Sequence, residues 1–328
     1  MNRTTNTRTA FTLLLLMVFA RPAAAQAPKG FIPPPLNPTQ ARLETKQLAP
    51  GVYALLSNKP PVDNSGFVVG ERGVLVIDAH INGAMARQIQ SAVRQVTEKP
   101  ILYLVNTNYH GDHTFGNYAF PAETQIIAQR ETAERMRAFE QEKQFLLGTV
   151  DNDPTVFADV RLRLPEAVFS DYLRLDLGGK VVELYHFGRG NSPGDTVAYV
   201  PGARVAWTGN LILGNGSIPF LIEGQAQAYM ETLARFAHAL DVETIVPGHG
   251  ALTSGAILGR YLQYLNELTE SVRGSLRAGR TLEEAQAGNS LAPHYLPPAQ
   301  SPFAQLTPFL VGLHRWNVQR TYQEMSGR

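Results

Sequence analysis

Short apolar runs separated by turn residues fill the first half of the chain. Residues 52–56, 66–70 and 73–78 are β-prone and are divided by Pro50-Gly51 and Arg72-Gly73, so they read as adjacent strands. The period changes over residues 82–98, where Met85, Ile89, Val93 and Val96 fall on one helical face. A buried strand follows at 101–105, then a strand at 125–128 and a charged, exposed helix over 131–145. The second half echoes this scheme, with strands at 172–177, 180–187, 196–200, 204–207 and 244–246 and a helix over 225–240. Strand sets alternating with single helices predict sheets covered by helices, a layered α/β arrangement. From residue 253 the pattern is helical, over 253–276, 281–287 and 308–325, with a loop at 292–298. Residues 26–44 are polar and rich in proline, and read as an extended lead-in more than a packed element.

Composition adds little to this picture, except at two points. The chain has 328 residues, 44% hydrophobic and 17% charged, with a formal net charge of +1. That is ordinary globular material, and it offers no electrostatic argument for nucleic acid or an anionic membrane as partner. The first point is the amino terminus. Arg3 and Arg8 precede the apolar residues 10–20, and Ala23-Ala24-Ala25 follows. A charged region, a short hydrophobic region and an A-x-A site together describe a secretory signal peptide. We expect residues 1–25 to be removed near Ala25 and the protein to be exported to a periplasm or secreted, with no membrane attachment afterwards. The second point is the absence of cysteine. A metal site in this chain must use nitrogen and oxygen ligands, and no disulfide framework is available.

Candidate chemistry gathers at strand ends. Directly after strand 101–105 comes Asn106-Thr-Asn-Tyr-His-Gly-Asp-His-Thr-Phe-Gly-Asn117, which places His110, Asp112 and His113 on a loop beside glycines. Imidazole and carboxylate are ligands suited to zinc and its first-row neighbours. A solvated loop capping the next helix would explain any one of these residues, but explains the cluster less well. Three further segments lie just after strands: Gly188 to Thr196, Trp207-Thr-Gly-Asn210, and Val246-Pro-Gly-His-Gly250. Each alone is a weak signal, since Pro-Gly is most often simply a turn.

Taken together, from about Leu48 to Gly250, these segments resemble the metallo-β-lactamase superfamily in motif order, spacing and element order. The family's H-x-H-x-D-H loop corresponds to Asn108-x-His110-x-Asp112-His113. Its H-T-x-G-D segment corresponds to Asn191-Ser-Pro-Gly-Asp195, its metal-bridging Asp to Asn210, and its P-G-H-G to Pro247–Gly250. Asp78, at the end of its strand, also fits. The resemblance implies a four-layer αββα sandwich of class α/β, with the metal site at one sheet edge between the halves. Residues 45–252 would form that domain, and 253–328 a C-terminal helical extension packed on it.

The departures shape the expected chemistry. Two of the three imidazoles that hold the family's first metal are replaced here, by Asn108 and Asn191, leaving His110. The resemblance implies a second-metal set of Asp112, His113 and His249, all present, with Asn210 beside it. We therefore expect one zinc ion rather than two, with metal ligands drawn from His110, Asp112, His113 and His249. A water in the open position would be activated by the metal. Asp112 would help orient that water. His110, with an unperturbed pKa near ~6.5, would serve as a proton shuttle. Asn108, Asn191 and Asn210 are candidate substrate contacts, and Asp78 a candidate acceptor behind a ligand histidine. His80 reads equally as such a support or as a plain loop residue, and His186 as structural. His238, His294 and His314 show no partner pattern. Tyr109 and Arg189 flank the site.

The expected function is an exported metal-dependent hydrolase acting on an amide or ester bond of a small molecule, with a β-lactam or lactone ring as a candidate. The alternative is a metal-poor relative that binds a ligand or partner without catalysis. Redox use of a di-iron pair would want both metal sites filled, which the asparagines oppose.

Overall fold

The computed structural model describes Pro28 and residues 31–327 apart from 215, 298 and 301–303. The expected signal peptide therefore lies outside the described residues. Seven strands form the first sheet in chain order: β1 (Leu43–Ala49), β2 (Val52–Ser57), β3 (Ser65–Val69), β4 (Val74–Ile77), β5 (Ile101–Asn106), β6 (Gln125–Gln129) and β7 (Ala167–Phe169). The first four pair antiparallel, and the rest parallel. Helix α1 (Gly83–Val96) makes the crossover from β4 to β5 that a parallel pair requires. The second sheet has five strands: β8 (Tyr172–Asp176), β9 (Val181–Tyr185), β10 (Val197–Val200), β11 (Val205–Trp207) and β12 (Thr244–Val246), in the spatial order β12-β11-β10-β9-β8.

Two-residue alternation assigns each strand's side chains to a layer. In β4, Leu75 and Ile77 enter the core between the sheets, where Ala198 and Val200 of β10 meet them. Val74 and Val76 face the other way and pack with Ala86, Ile89 and Val93 of α1. On the far side of the second sheet, Val197 and Tyr199 of β10 pack under α5 (Ala226–Ala239), α6 (Ile257–Arg277) and α8 (Thr307–Ser326), through Leu233, Tyr261 and Trp316, and the short α7 (Leu282–Gly288) lies between the last two in the chain. The layers run helix, sheet, sheet, helix, with the C-terminal helices thickening the last. No helix among the described residues is long and apolar enough to cross a membrane.

One strand is added to the expected set, and two local expectations are corrected. Strand β1 was not legible, because Glu44, Thr45, Lys46 and Gln47 are all exposed and it is an edge strand paired only with β2. The proline-rich lead-in is packed: Leu36 and Ala41 are buried, and the Phe31 ring lies 5.0 Å from Trp316, edge-on. Its prolines hold it extended, which lets a short segment run across the body of the domain. The helix expected over 131–145 breaks into α3 (Arg130–Arg135), a 3-10 turn (Met136–Ala138) and α4 (Phe139–Leu147). Helix α4 is not simply exposed, since Leu146 is buried and Phe139 meets Phe115 at 5.1 Å.

Candidate active site

The ends of β4, β5, β11 and β12, with the turn leading into β3, converge at one edge of the two sheets. The loop after β5 is closed by a reciprocal amide pair: Asn117 Nδ2 donates to Asn106 Oδ1 at 2.8 Å, and Asn106 Nδ2 donates to Asn117 Oδ1 at 3.0 Å. Within it, the single helical turn α2 (Gly111–Thr114) carries Asp112 and His113. Helix-turn geometry, not chain flexibility, therefore fixes where these two side chains start. Glycine is required where the second half closes in. A Cβ on Gly248 would stand 2.6 Å from Asn210 Oδ1, and one on Gly209, whose φ is +47°, 2.1 Å from Thr107 Oγ1.

Asp112, His113 and His249 meet, and a residue not singled out in the sequence joins them. Ligand atoms of Asp63, Asp112, His113 and His249, all buried, lie within 4.8 Å of one another. Both imidazoles have Nδ1 committed from behind. His113 Nδ1 donates to Asp78 Oδ2 at 2.9 Å, and His249 Nδ1 donates to the Pro61 carbonyl at 2.7 Å. Each ring thus turns its Nε2 toward the cluster, where Asn210 Oδ1 stands 3.1 Å from one and 2.9 Å from the other. Asp78 is itself fixed by Thr107, whose N–H and hydroxyl donate to its two oxygens at 2.8 and 2.7 Å. Its φ of +61° is a left-handed conformation uncommon for a non-glycine residue, and it lets the strand end turn its carboxylate back under His113.

The carboxylates have no such partners. Both oxygens of Asp63 and Oδ1 of Asp112 are buried without a hydrogen bond. Two facing buried carboxylates need a cation or a proton between them. Accordingly, burial and the neighbouring Asp112 push the Asp63 carboxyl well above its ordinary range. Burial also works against the charge of Asp112, but His113, His249 and His110 draw its pKa down to about 2. Burial opposes the charge of His113 as well, yet Asp78, Asp112 and Asp63 raise its pKa to about 10. Burial instead holds His249 near about 4. Orphaned carboxylate oxygens, together with imidazoles whose opposite N–H groups are already committed, are a donor set that fits a divalent cation such as zinc.

His110, expected among the ligands, falls outside this group. Its Nδ1 lies 3.1 Å from Glu142 Oε1 of α4, and its Nε2 lies 3.0 Å from Asn191 Oδ1. With an oxygen acceptor at each nitrogen, the ring is set up to carry two protons. Burial opposes that charge, but Glu142 outweighs it and the pKa is raised. Asn191 also donates to the Phe220 carbonyl at 2.9 Å, so it ties His110 to the loop before α5. Asn108 is fully buried and closes its own turn, accepting from the His110 N–H at 2.9 Å and donating to Thr107 Oγ1. It holds the turn and does not line the cavity described below. Asp195 likewise accepts from the Ser192 N–H at 3.1 Å.

Asp63 and Glu142 were missed by sequence reading. Asp63 sits in the turn Pro60-Pro61-Val62-Asp63, and only its backbone bridge to His249 brings it to the site. His80, left open in the sequence, supports it from below. His80 Nδ1 accepts from the Ile81 N–H, so Nε2 donates to the Asp63 carbonyl at 3.2 Å. Burial and the nearby His113 lower the His80 pKa to about 3, keeping the ring neutral. His186 donates from Nδ1 to the Asp195 carbonyl at 2.8 Å, a structural contact. Tyr109 donates to Glu223, which also pairs with Arg135 at 2.9 Å.

A cavity of about 610 Å3 opens on the cluster, and His110, Asp112, Asn191, Asn210 and His249 line it. With this geometry established, comparison with known proteins decides the family. The sequence model of the metallo-beta-lactamase superfamily matches residues 59–249. The chain belongs to the metallo-β-lactamase superfamily. A metallo-beta-lactamase type 2 from Bacteroides fragilis is 23% identical over 215 residues, which cover 63% of this chain and 77% of the relative. Among solved structures, a metallo-beta-lactamase from Pontibacter korlensis aligns with a TM-score of 0.55 and 18% identity, over 69% of this chain and 99% of that one. A stereoselective inverting sec-alkylsulfatase from Pseudomonas sp. aligns with a TM-score of 0.64 and 17% identity, over 86% of this chain and 50% of that one. These structural likenesses show the shared fold. The chain therefore has the hydrolase-type fold of the metallo-β-lactamase superfamily, with a group of Asp and His residues capable of binding metal at the sheet edge.

Proposed function

We propose that this protein is an exported hydrolase of the superfamily that acts on an ester or amide bond, a lactone or β-lactam ring included, with one zinc ion held by Asp112, His113 and His249 and with Asp63 beside the open fourth position. The observation that carries this reading is the pair of buried carboxylates, Asp63 and Asp112, with three oxygens lacking any hydrogen bond, gathered with the His113 and His249 rings beside a cavity. A bound zinc ion supplies an activated water and polarises the carbonyl that the water attacks. The chain's own residues supply the rest. Asp78 and the Pro61 carbonyl hold the imidazoles in the tautomer that leaves Nε2 available. His110, whose charged form Glu142 favours, presents Nε2 on the cavity wall as a proton donor for a leaving group. The position of a second metal is filled instead by the Asn108, His110 and Asn191 hydrogen bonds, which supports one ion.

The alternative, a metal-poor binding protein, would need a proton between the Asp63 and Asp112 carboxylates in place of a cation. The test is elemental analysis of the protein after zinc loading and dialysis, combined with a screen of lactones, esters and lactams. About one zinc per chain, with turnover lost in Asp112→Ala, supports the hydrolase. Retention of no metal would overturn it in favour of the binding protein.

A further inference from the structure

The two sheets supply the polar cluster, but almost none of the rest of the cavity. Its apolar wall comes from segments added around the sandwich: Leu36 of the lead-in, Phe145 of α4, Phe220 and Ile222 of the loop before α5, and Phe309 and Leu310 of α8. These come from four stretches far apart in sequence, yet they converge on one space. At about 610 Å3 this space is far larger than a scissile bond requires. Away from His110 and the polar cluster, positive charge is scarce in it. No lysine lines the cavity among the described residues. The Arg260 guanidinium lies 5.2 Å over the Tyr295 ring and donates from Nη2 to the His294 carbonyl, so it is drawn toward the wall. An anionic or highly polar substrate body would lose its hydration here and recover little.

We propose that the natural substrate is an amphiphile: an ester or amide whose scissile bond lies at the Asp63–His249 cluster and whose long apolar chain fills the chamber under α8. The proposal rests on the hydrolase reading for the scissile bond and on the chamber walls for the chain. Removing a methylene from water stabilises binding by about 0.8 kcal/mol, so affinity should rise up to about fourfold per added carbon until the chamber is full.

The test separates the two layers. Titration calorimetry of the zinc-loaded protein with butyrate, octanoate and dodecanoate reads the chamber without any turnover. Kinetics on p-nitrophenyl esters of the same acids read hydrolysis. We expect affinity and kcat/KM to climb together with chain length. Leu310→Trp, which fills the space, should flatten both series at unchanged metal content. Ile222→Trp, placed on a different segment, serves the same purpose should the first variant misfold. Equal affinity for butyrate and dodecanoate would overturn the proposal, even if short esters are hydrolysed. Chain-length-dependent binding that Leu310→Trp abolishes, with no ester turned over, would support the chamber while overturning the hydrolase reading.

Discussion

The Asp63 carboxylate lies 3.3 Å from His249 Nδ1, because the backbones of these two residues bridge across the sheets. Asn64 reinforces the bridge, donating from its N–H to the Gly248 carbonyl and from Nδ2 to the carbonyls of Pro247 and Gly250. The turn entering the first sheet and the loop leaving the second are thus one rigid unit. Asp63→Ala should lower zinc affinity at least tenfold, measured by competition with a chromophoric chelator. Unchanged affinity would remove Asp63 from the metal site. Because bound metal stabilises the native state, the zinc-dependent rise in Tm should shrink in the same variant.

Asp78 touches no substrate space, yet it fixes His113. Asp78→Asn keeps the shape but replaces the acceptor behind His113 Nδ1. Zinc affinity should fall by about 10- to 100-fold, with the far-ultraviolet spectrum intact. The same chelator competition reads the result.

Glu142→Gln should act through His110. Without the carboxylate, the raised pKa of His110 falls toward its ordinary value or below. A group that must donate a proton loses its effect as pH rises through its pKa, so the alkaline limb of the pH–kcat profile should move to lower pH. His110→Ala should reduce kcat by about 10²- to 10⁴-fold while zinc content is retained. Loss of zinc in His110→Ala would return His110 to the ligand set.

Acid should weaken the C-terminal layer. His314 accepts from the Tyr264 hydroxyl at 2.9 Å and donates to the Asn289 carbonyl at 3.2 Å, which is a neutral ring. Burial lowers its pKa from 6.5 to about 4. As pH falls below 6.5 the unfolded chain gains a proton that the native state refuses until about 4. Stability present above that window is lost across it, on the order of 3 kcal/mol. His80 and His249 lean in the same direction, so the discriminating measurement is a difference. The fall in Tm between neutral pH and pH ~4 should be smaller in His314→Phe than in the natural chain.

How much of this was legible in the sequence depended on the range of the interaction that sets each feature. Strands such as β4 and β10 write their layers into a local alternation of side chains, and the helical period of α1 is equally local. The Asp112–His113 turn and the Pro247–Gly250 loop stood out because glycine and metal-type residues adjoin in the chain. Asp63 carried no such mark: it follows Pro60-Pro61-Val62, and its position is made by pairing with a strand end in the other half. Glu142 looked like one more charge on a solvated helix, because nothing local announces the break at Met136–Ala138 that turns α4 onto His110. For Asn108 and Asn191, residue type showed what was missing from the first metal position. Only the hydrogen-bond partners showed what had replaced it.

The chain has two tryptophans, and they occupy different cores. Trp207 lies between the sheets, donating from its indole N–H to the Ser65 carbonyl just behind the site. Trp316 lies in the outer layer, 5.2 Å from the Phe220 ring on the chamber wall. Intrinsic fluorescence therefore splits into two local signals, one for the sandwich and one for the chamber. In Trp207→Phe the remaining emission would report on the chamber wall alone, so filling of the chamber could be followed optically in unlabelled protein.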